Sequence, residues 1–230
     1  MLVVSNIDLT SKISFVNPST FLKSSLKDTI LNIDYGYRYM KTGYYVSVHA
    51  EVLGNKVTPS SEDIIDASRP PVFLLRAKNA GIPVMPSLVS DSASEIISKL
   101  HYPLILFAVN PFSSEGHKIA KNKSALYRAM KSLGMNYKFP VCALPLEGSI
   151  SSFKSFFGKC EREDQSKQIA QSLYKVFRIP ICKVIVQRIE NTTYLCGLQS
   201  LKKHDLSHGD LVQISEEVRQ IYEQGDNLVG

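Results

Sequence analysis

The stretch between two glycines, Gly43 and Gly54, most constrains how this 230-residue chain can fold. The residues between them have the length of a helix. Two apolar stripes follow it at helical spacing, one of Val46, Ala50 and Leu53 and the other of Tyr44, Val48 and Val52. A helix that is apolar on two sides is expected to be mostly buried. Gly54 suits the position after its end, because glycine adopts a left-handed conformation without steric cost.

Tyrosines are concentrated around the start of this predicted helix, since five of the 11 lie between residues 35 and 45. Such a cluster forms either a well-packed corner of the core or the wall of a ligand pocket, and the sequence leaves both open. The candidate ligand-binding residues are Tyr37, Arg38, Tyr39, Tyr44, Tyr45, Ser47 and Glu51. Glu51 follows Ser47 by four residues, so both side chains can face the same side of the helix.

Strand and helix signals alternate along the chain, which favours an α/β to α+β fold. We predict a layered mixed β-sheet with flanking helices, followed by a C-terminal hairpin plus helix. The continuous apolar run 104–109 is typical of a central strand buried on both faces. Two β runs, 181–188 and 193–198, predict the hairpin, and a capping box at 207–210 precedes the last amphipathic helix.

Three segments carry weaker signals. Residues 82–85 are predicted to form a strand. Residues 110–122, which include Pro111, Ser113, Ser114 and Gly116, are predicted to form a polar loop, where α/β proteins tend to bind ligands. The serine-rich span 148–155 suggests a boundary between two layers or subdomains. We therefore treat residues 1–230 as one domain with a possible subdomain break near 148–155.

Positive charge lies in the second half of the chain. Residues 116–230 carry 17 Lys and Arg against 11 Asp and Glu, which accounts for the net charge of +6. No acid occurs between residues 116 and 146, and the candidate phosphate or partner patch there consists of Lys118, Lys121, Lys123, Arg128 and Lys131. This field attracts phosphates, nucleic acid or an acidic partner surface. A solvated helix face is the alternative, since no nucleic-acid-binding signature accompanies it.

Several common chemistries are absent from the sequence. It contains no P-loop, no dinucleotide-binding glycine motif and no nucleophile elbow. His204 and His208, with Asp205 and Asp210 beside them, could ligate a metal, but no third ligand can be named, so we expect no metal and no cofactor. The four cysteines lack C-x-x-C spacing and are expected to be buried thiols of a cytoplasmic protein. No apolar run reaches about 18 residues, so no membrane span is expected.

Two regions resemble the RimK-like ATP-grasp N-terminal domain family. The first is Tyr37-Arg38-Tyr39 with the stretch from Gly43-Tyr44-Tyr45-Val46-Ser47, through Ala50-Glu51 and Gly54, to Pro59-Ser60. The second is Phe156-Phe157-Gly158-Lys159, a helix over 169–177, Pro180-Ile181-Cys182-Lys183-Val184 and a hairpin ending at Leu198. The middle, about residues 62–150, matches weakly. His49, Val52 and Asn55 depart from the pattern and mark a divergent member.

The resemblance also implies a role. Relatives continue into an ATP-grasp ligase, which needs lysines over the nucleotide and a late acidic-x-Asn pair for magnesium, and this chain contains no Asp-x-Asn or Glu-x-Asn. The resemblance therefore implies a non-catalytic accessory or substrate-presenting domain that docks on a separately encoded ATP-grasp carboxylate–amine ligase. Two alternatives remain open: a basic phosphate- or nucleic-acid-binding α/β module, and a small enzyme of unknown reaction with a pocket at the tyrosine cluster.

Overall fold

Three β-sheets organise the described part of the chain. The computed structural model describes residues 1–9, 14–110, 112 and 116–226. Within these residues, strands and helices follow one another in this order: β1 (Leu2–Ser5), β2 (Phe15–Val16), α1 (Pro18–Phe21), β3 (Ile30–Ile33), α2 (Thr42–Val52), β4 (Val57–Thr58), α3 (Ser61–Ser68), α4 (Pro70–Asn79), β5 (Leu88–Ser90), α5 (Ala93–Lys99), β6 (Leu104–Ala108), β7 (His117–Ala120), α6 (Lys123–Leu133), β8 (Val141–Pro145), β9 (Ser149–Phe156), α7 (Gln165–Phe177), β10 (Ile181–Ile189), β11 (Thr192–Gln199) and α8 (His208–Asp226).

The sheets differ in strand direction. The first has the order β2-β1-β3-β4 and is parallel, as expected where helices and turns connect its successive strands. The second (β5-β8-β6-β7) and the third (β11-β10-β9) are antiparallel. This combination confirms the predicted layered α/β to α+β fold, including the C-terminal hairpin and the final helix.

The core explains why β6 is apolar at every position. Ile105 and Phe107 belong to the largest apolar cluster, which joins the three sheets. Leu104 and Leu106 point the other way, into a separate cluster with α5 and α6. A strand covered on both faces has no solvent side on which polar residues would alternate, so the prediction of a central buried strand is confirmed.

Helix α2 is confirmed, but its predicted burial on two sides is wrong in part. Val46 and Ala50 are fully buried against the first sheet and α1. Val52, at the end of the second stripe, is 80% exposed, while Tyr44 and Val48 are only half-buried. The reason is that the first sheet covers one side of α2, so the opposite stripe meets solvent.

Three local predictions are corrected. Residues 82–85 form no strand, and only a single bridge joins Val84 to Leu195. The predicted loop 110–122 contains β7, although its Pro111, Ser113 and Ser114 lie outside the described residues. The serine-rich span forms most of β9, which pairs with β10 along its whole length, and the chain passes between two sheets at residues 146–148. The division into domains stays a prediction.

The cysteines are free thiols. Three of them, Cys142, Cys182 and Cys196, are buried, and burial raises the pKa of each to about 12. Cys160 is half-buried. In the part of the chain that the structure describes, no helix combines the length and the apolar character required to cross a membrane.

Candidate functional site

A cleft of about 680 Å³ lies where the three sheets meet. One wall is the segment from Asp34 to Thr42, which leaves β3 and begins α2. A second wall comes from the end of β6, and a third comes from β10 and from the chain that follows β11. The backbone N–H of Leu201 donates to the carbonyl oxygen of Tyr35 at 3.0 Å and joins the first wall to the third.

Two of the seven predicted ligand-binding residues, Tyr37 and Arg38, line this cleft. The Tyr37 hydroxyl donates to the carbonyl oxygen of Asn32 and accepts from the backbone N–H of Asp34, each at 2.8 Å. Burial raises the pKa of Tyr37 well above its usual 10.0. Burial also lowers the pKa of Arg38, which is half-buried. Tyr37 thus supports the cleft wall as a buried, neutral hydrogen-bonding residue, and Arg38 brings positive charge to it.

The other five lie outside the cleft. Tyr39 and Tyr45 are exposed, and the ring of the half-buried Tyr44 lies between theirs, with centroid distances of 5.2 Å and 5.8 Å. Ser47 belongs to the buried side of α2, and its hydroxyl donates to the carbonyl oxygen of Pro59 at 2.7 Å. Glu51 accepts from the backbone N–H of Ser61 at 2.8 Å and so holds the start of α3. Ser47 and Glu51 do face the same side of α2, but they fix the chain between β4 and α3.

The cleft contains a carboxyl group with a raised pKa, that of Asp34. Burial raises its pKa from 3.8 to about 6, although the N–H of Gly36 and the amide of Asn6 each donate to it at 2.7 Å. These two hydrogen bonds use both of its carboxylate oxygens. Sequence patterns did not single out Asp34, since an acid at the end of a strand is common in turns.

Lysines from distant segments complete the cleft. Lys41 comes from the start of α2, Lys183 from β10 and Lys202 from the chain after β11. None of these three was predicted as a site residue. The available signal was Lys183 itself, a charged residue within the apolar run from Ile181 to Val186. Together with Arg38, these lysines outnumber Asp34 and Asp205, the two carboxyl groups among the described residues of the cleft.

The predicted basic patch lies elsewhere, because none of its five residues lines the cleft. Lys121, Lys123, Arg128 and Lys131 are exposed on and before α6, whereas Lys118 is half-buried and donates to the Ser132 hydroxyl at 2.8 Å. Tyr127 and Tyr137 are 40% and 46% exposed beside them. This surface, formed by α6 and the turn after it, is called the α6 face below.

The considered metal ligands do not assemble into a site. His204 Nε2 lies 3.9 Å from Asp205 Oδ1, but Asp210 faces away and binds Lys154 at 2.6 Å. Among the described residues, no group of three or more His, Cys, Asp and Glu could hold a metal ion. Asp205 also accepts from the backbone N–H of Lys202 at 2.8 Å. Magnesium beside a nucleotide takes carboxylate ligands, and Asp34 and Asp205, the carboxyl groups among the described residues of the cleft, belong to no such group of ligands. The described residues of the cleft therefore do not fit a magnesium–nucleotide complex.

Comparison with solved structures shows the fold. A RimK-domain ATP-grasp protein from Sphaerobacter thermophilus aligns with 13% identity and a TM-score of 0.62, over 88% of each chain. The D-alanine–D-alanine ligase from Bacillus anthracis aligns with 15% identity and a TM-score of 0.60, over 86% of this chain and 82% of that one. The ATP-grasp ligase PsnB, whose structure contains a precursor variant, Mg and ADP, aligns with 14% identity and a TM-score of 0.56, over 77% of this chain.

This chain spans 65% of the length of PsnB. The likeness to these proteins is one of fold, and with the Sphaerobacter thermophilus protein it extends over most of the length of both chains. No curated protein matches in sequence. The family model of the RimK-like ATP-grasp N-terminal domain matches residues 18–216, which include both motifs and the weakly matching middle. The chain therefore belongs to the RimK-like ATP-grasp N-terminal domain family.

Proposed function

We propose that this chain is a non-catalytic, substrate-presenting component of a carboxylate–amine ligation system. It acts in the cytoplasm with a separately encoded ATP-grasp ligase, which supplies the ATP-dependent chemistry. The observation that carries the proposal is the convergence of Arg38, Lys41, Lys183 and Lys202 on one cleft in a chain of this family. A cleft with an excess of cations attracts the carboxylate or phosphate of a ligation substrate.

The arrangement of the cleft supports binding more than catalysis. Asp34 and Asp205 are its carboxyl groups, and each accepts hydrogen bonds from neighbouring groups of the chain. Neither belongs to a group of three or more potential metal ligands among the described residues. Lys41 and Lys202 are exposed at the mouth of the cleft, where they can meet a substrate that a partner enzyme also touches.

Co-purification with a candidate ATP-grasp ligase tests the proposal. The two proteins should elute together, and the ligation rate should rise when this chain is added. The double variant Lys41→Glu/Lys202→Glu should keep the chain folded and lower the ligation rate at least tenfold, whereas Lys167→Glu, at an exposed position outside the cleft, should not. ATP hydrolysis by the isolated chain, or failure to elute with any native ATP-grasp neighbour, would contradict the proposal.

A second candidate function rests on the α6 face. Exposed cations alternate there with the rings of Tyr127 and Tyr137, an arrangement that suits single-stranded nucleic acid, since bases stack on aromatic rings and cations contact phosphates. The test is binding of a single-stranded RNA at several salt concentrations. Affinity should fall steeply as salt rises, and Lys123→Glu/Lys131→Glu should weaken it. Absence of binding at low salt would eliminate this function.

A further inference from the structure

Two lysines lie directly opposite each other in the third sheet. Lys183 of β10 is the cross-strand partner of Lys154 of β9. Directly opposite side chains in an antiparallel pair are separated by about 5 Å, so like charges at these positions destabilise the sheet. Lys154 has its own compensation, because its ammonium lies 2.6 Å from a carboxylate oxygen of Asp210, which is only 5% exposed.

Lys183 has no such compensation. Its side chain makes no ion pair and no hydrogen bond with the residues that the structure describes. It is half-buried, and it lines both the cleft and an adjoining cavity of about 420 Å³. A cation in that position costs free energy through partial desolvation and through repulsion from Lys154. No ion pair or hydrogen bond within the described residues holds this ammonium group, so it is available to a ligand in the cleft.

The neighbourhood of Lys183 is also positive. The pKa of His117 on β7 is lowered, first by burial of the imidazole and second by the positive charge of Lys183. Lys41 and Lys202 line the same cleft, and within the described part of the chain the ammonium group of neither forms an ion pair with a carboxylate. The carboxylates of Asp34 and Asp205 are engaged by Asn6, Gly36 and the Lys202 backbone. Three lysines without carboxylate partners match a ligand group that carries at least two negative charges.

We propose that the cleft binds a phosphoryl group through direct contact with Lys183, Lys41 and Lys202, without a divalent metal ion between them. This inference rests on the proposed binding role of the cleft and names its ligand class. It also accounts for the poor fit to a magnesium–nucleotide complex, because lysines take the charge-neutralising role that a metal ion has beside phosphates. A metal ion placed among these cations would be repelled by them.

Calorimetric titration of the full chain with inorganic pyrophosphate at low salt tests the inference. Binding should occur in EDTA, and added Mg²⁺ should leave the Kd unchanged or raise it, because Mg²⁺ neutralises free pyrophosphate. Lys183→Gln should weaken binding at least tenfold and leave the urea midpoint equal or higher, since it removes the repulsion from Lys154. The control Lys167→Gln removes an exposed lysine from α7, outside the cleft, and should change neither quantity.

Three results would overturn the inference: binding that requires Mg²⁺, a lowered urea midpoint for Lys183→Gln without loss of affinity, or citrate binding as tightly as pyrophosphate. The last result would mark a general anion site rather than a phosphoryl site. These measurements use the isolated chain, so failure to find a partner ligase leaves them intact. Conversely, co-elution with a ligase combined with no pyrophosphate binding would reject the phosphoryl site and keep the accessory role.

Discussion

A Cβ atom placed on Gly197 would lie 2.6 Å from Cε1 of Phe107, so the third sheet contacts the second at a point that glycine fits and larger residues do not. Both residues are in the interior beside the cleft, Phe107 from β6 and Gly197 from β11. This close contact sets the distance between two of the cleft walls.

Gly197→Ala should lower the free energy of unfolding by about 1–3 kcal/mol, because the added methyl group displaces a buried ring. Urea denaturation measures the change. The control is Gly209→Ala at the start of α8, where a Cβ would have an ordinary contact of 3.8 Å with the Ser207 hydroxyl, and stability should be unchanged or slightly higher. Adding Phe107→Leu to Gly197→Ala should restore part of the loss, and no restoration would argue against this contact as the cause.

Tyr37→Phe should destabilise the chain by about 1–3 kcal/mol, since it leaves the Asn32 carbonyl and the Asp34 N–H without their buried hydrogen-bond partner. Equilibrium unfolding in urea provides the measurement. Tyr39→Phe removes a hydroxyl from an exposed ring and should change stability by less than about 0.5 kcal/mol. Equal effects of the two substitutions would show that the Tyr37 hydroxyl has no special structural role.

Asp34 should make stability depend on pH. Its pKa is raised to about 6 in the folded chain, which means that folding favours the protonated carboxyl group. The stability contributed by that protonated group is fully present below pH 3.8 and is lost as the pH rises through about 6. Asp34→Asn removes this titration and keeps an oxygen that can accept from Gly36. The stability of the variant relative to the natural chain should therefore increase by about 1–3 kcal/mol between pH 4 and pH 7. Unfolding curves at a series of pH values measure this difference, and a difference that is constant with pH would contradict a raised pKa.

Lys154→Met should cost about 1–2 kcal/mol, because it leaves the buried carboxylate of Asp210 without its ion-pair partner, while the 37% exposure of Lys154 lets solvent screen the pair. Burial opposes ionisation of Asp210, but hydrogen bonds from Lys154 and Ser207 bring its pKa below the usual 3.8. In the natural chain the stability that ionised Asp210 contributes is fully present above pH 3.8, and it is lost as the pH falls through the lowered pKa. Thermal unfolding at neutral pH is the measurement. The double variant Lys154→Met/Asp210→Asn should recover much of the loss, and a further loss would refute the pairing.

The sequence predicted elements where side-chain periodicity is strong. The stripe of Val46 and Ala50 marks α2 as a helix because it packs against the first sheet, and the apolar run of β6 marks a strand covered on both sides. Strands β7 and β9 were missed for a different reason. Serine is a weak strand former, and Ser149–Phe156 becomes a strand through its pairing with β10, which no local pattern reveals.

The candidate site shows the same difference between residues of one local motif and residues joined by long-range packing. Tyr37 and Arg38 could be singled out because they lie within one local motif. Lys183 and Lys202 could not be joined to them, since the contact depends on which sheets the chain places side by side. The predicted helix stripe likewise could not tell that Val52 would be exposed, because its burial depends on what covers α2.

The position of the cleft has a mechanical consequence. Its walls belong to sheets that the chain builds one after another, so a molecule held there touches segments that are far apart in sequence. Such a molecule would act as a brace between them. A bound molecule should slow cleavage by proteases at sites remote from the cleft, because local opening of any one sheet would first require the molecule to dissociate.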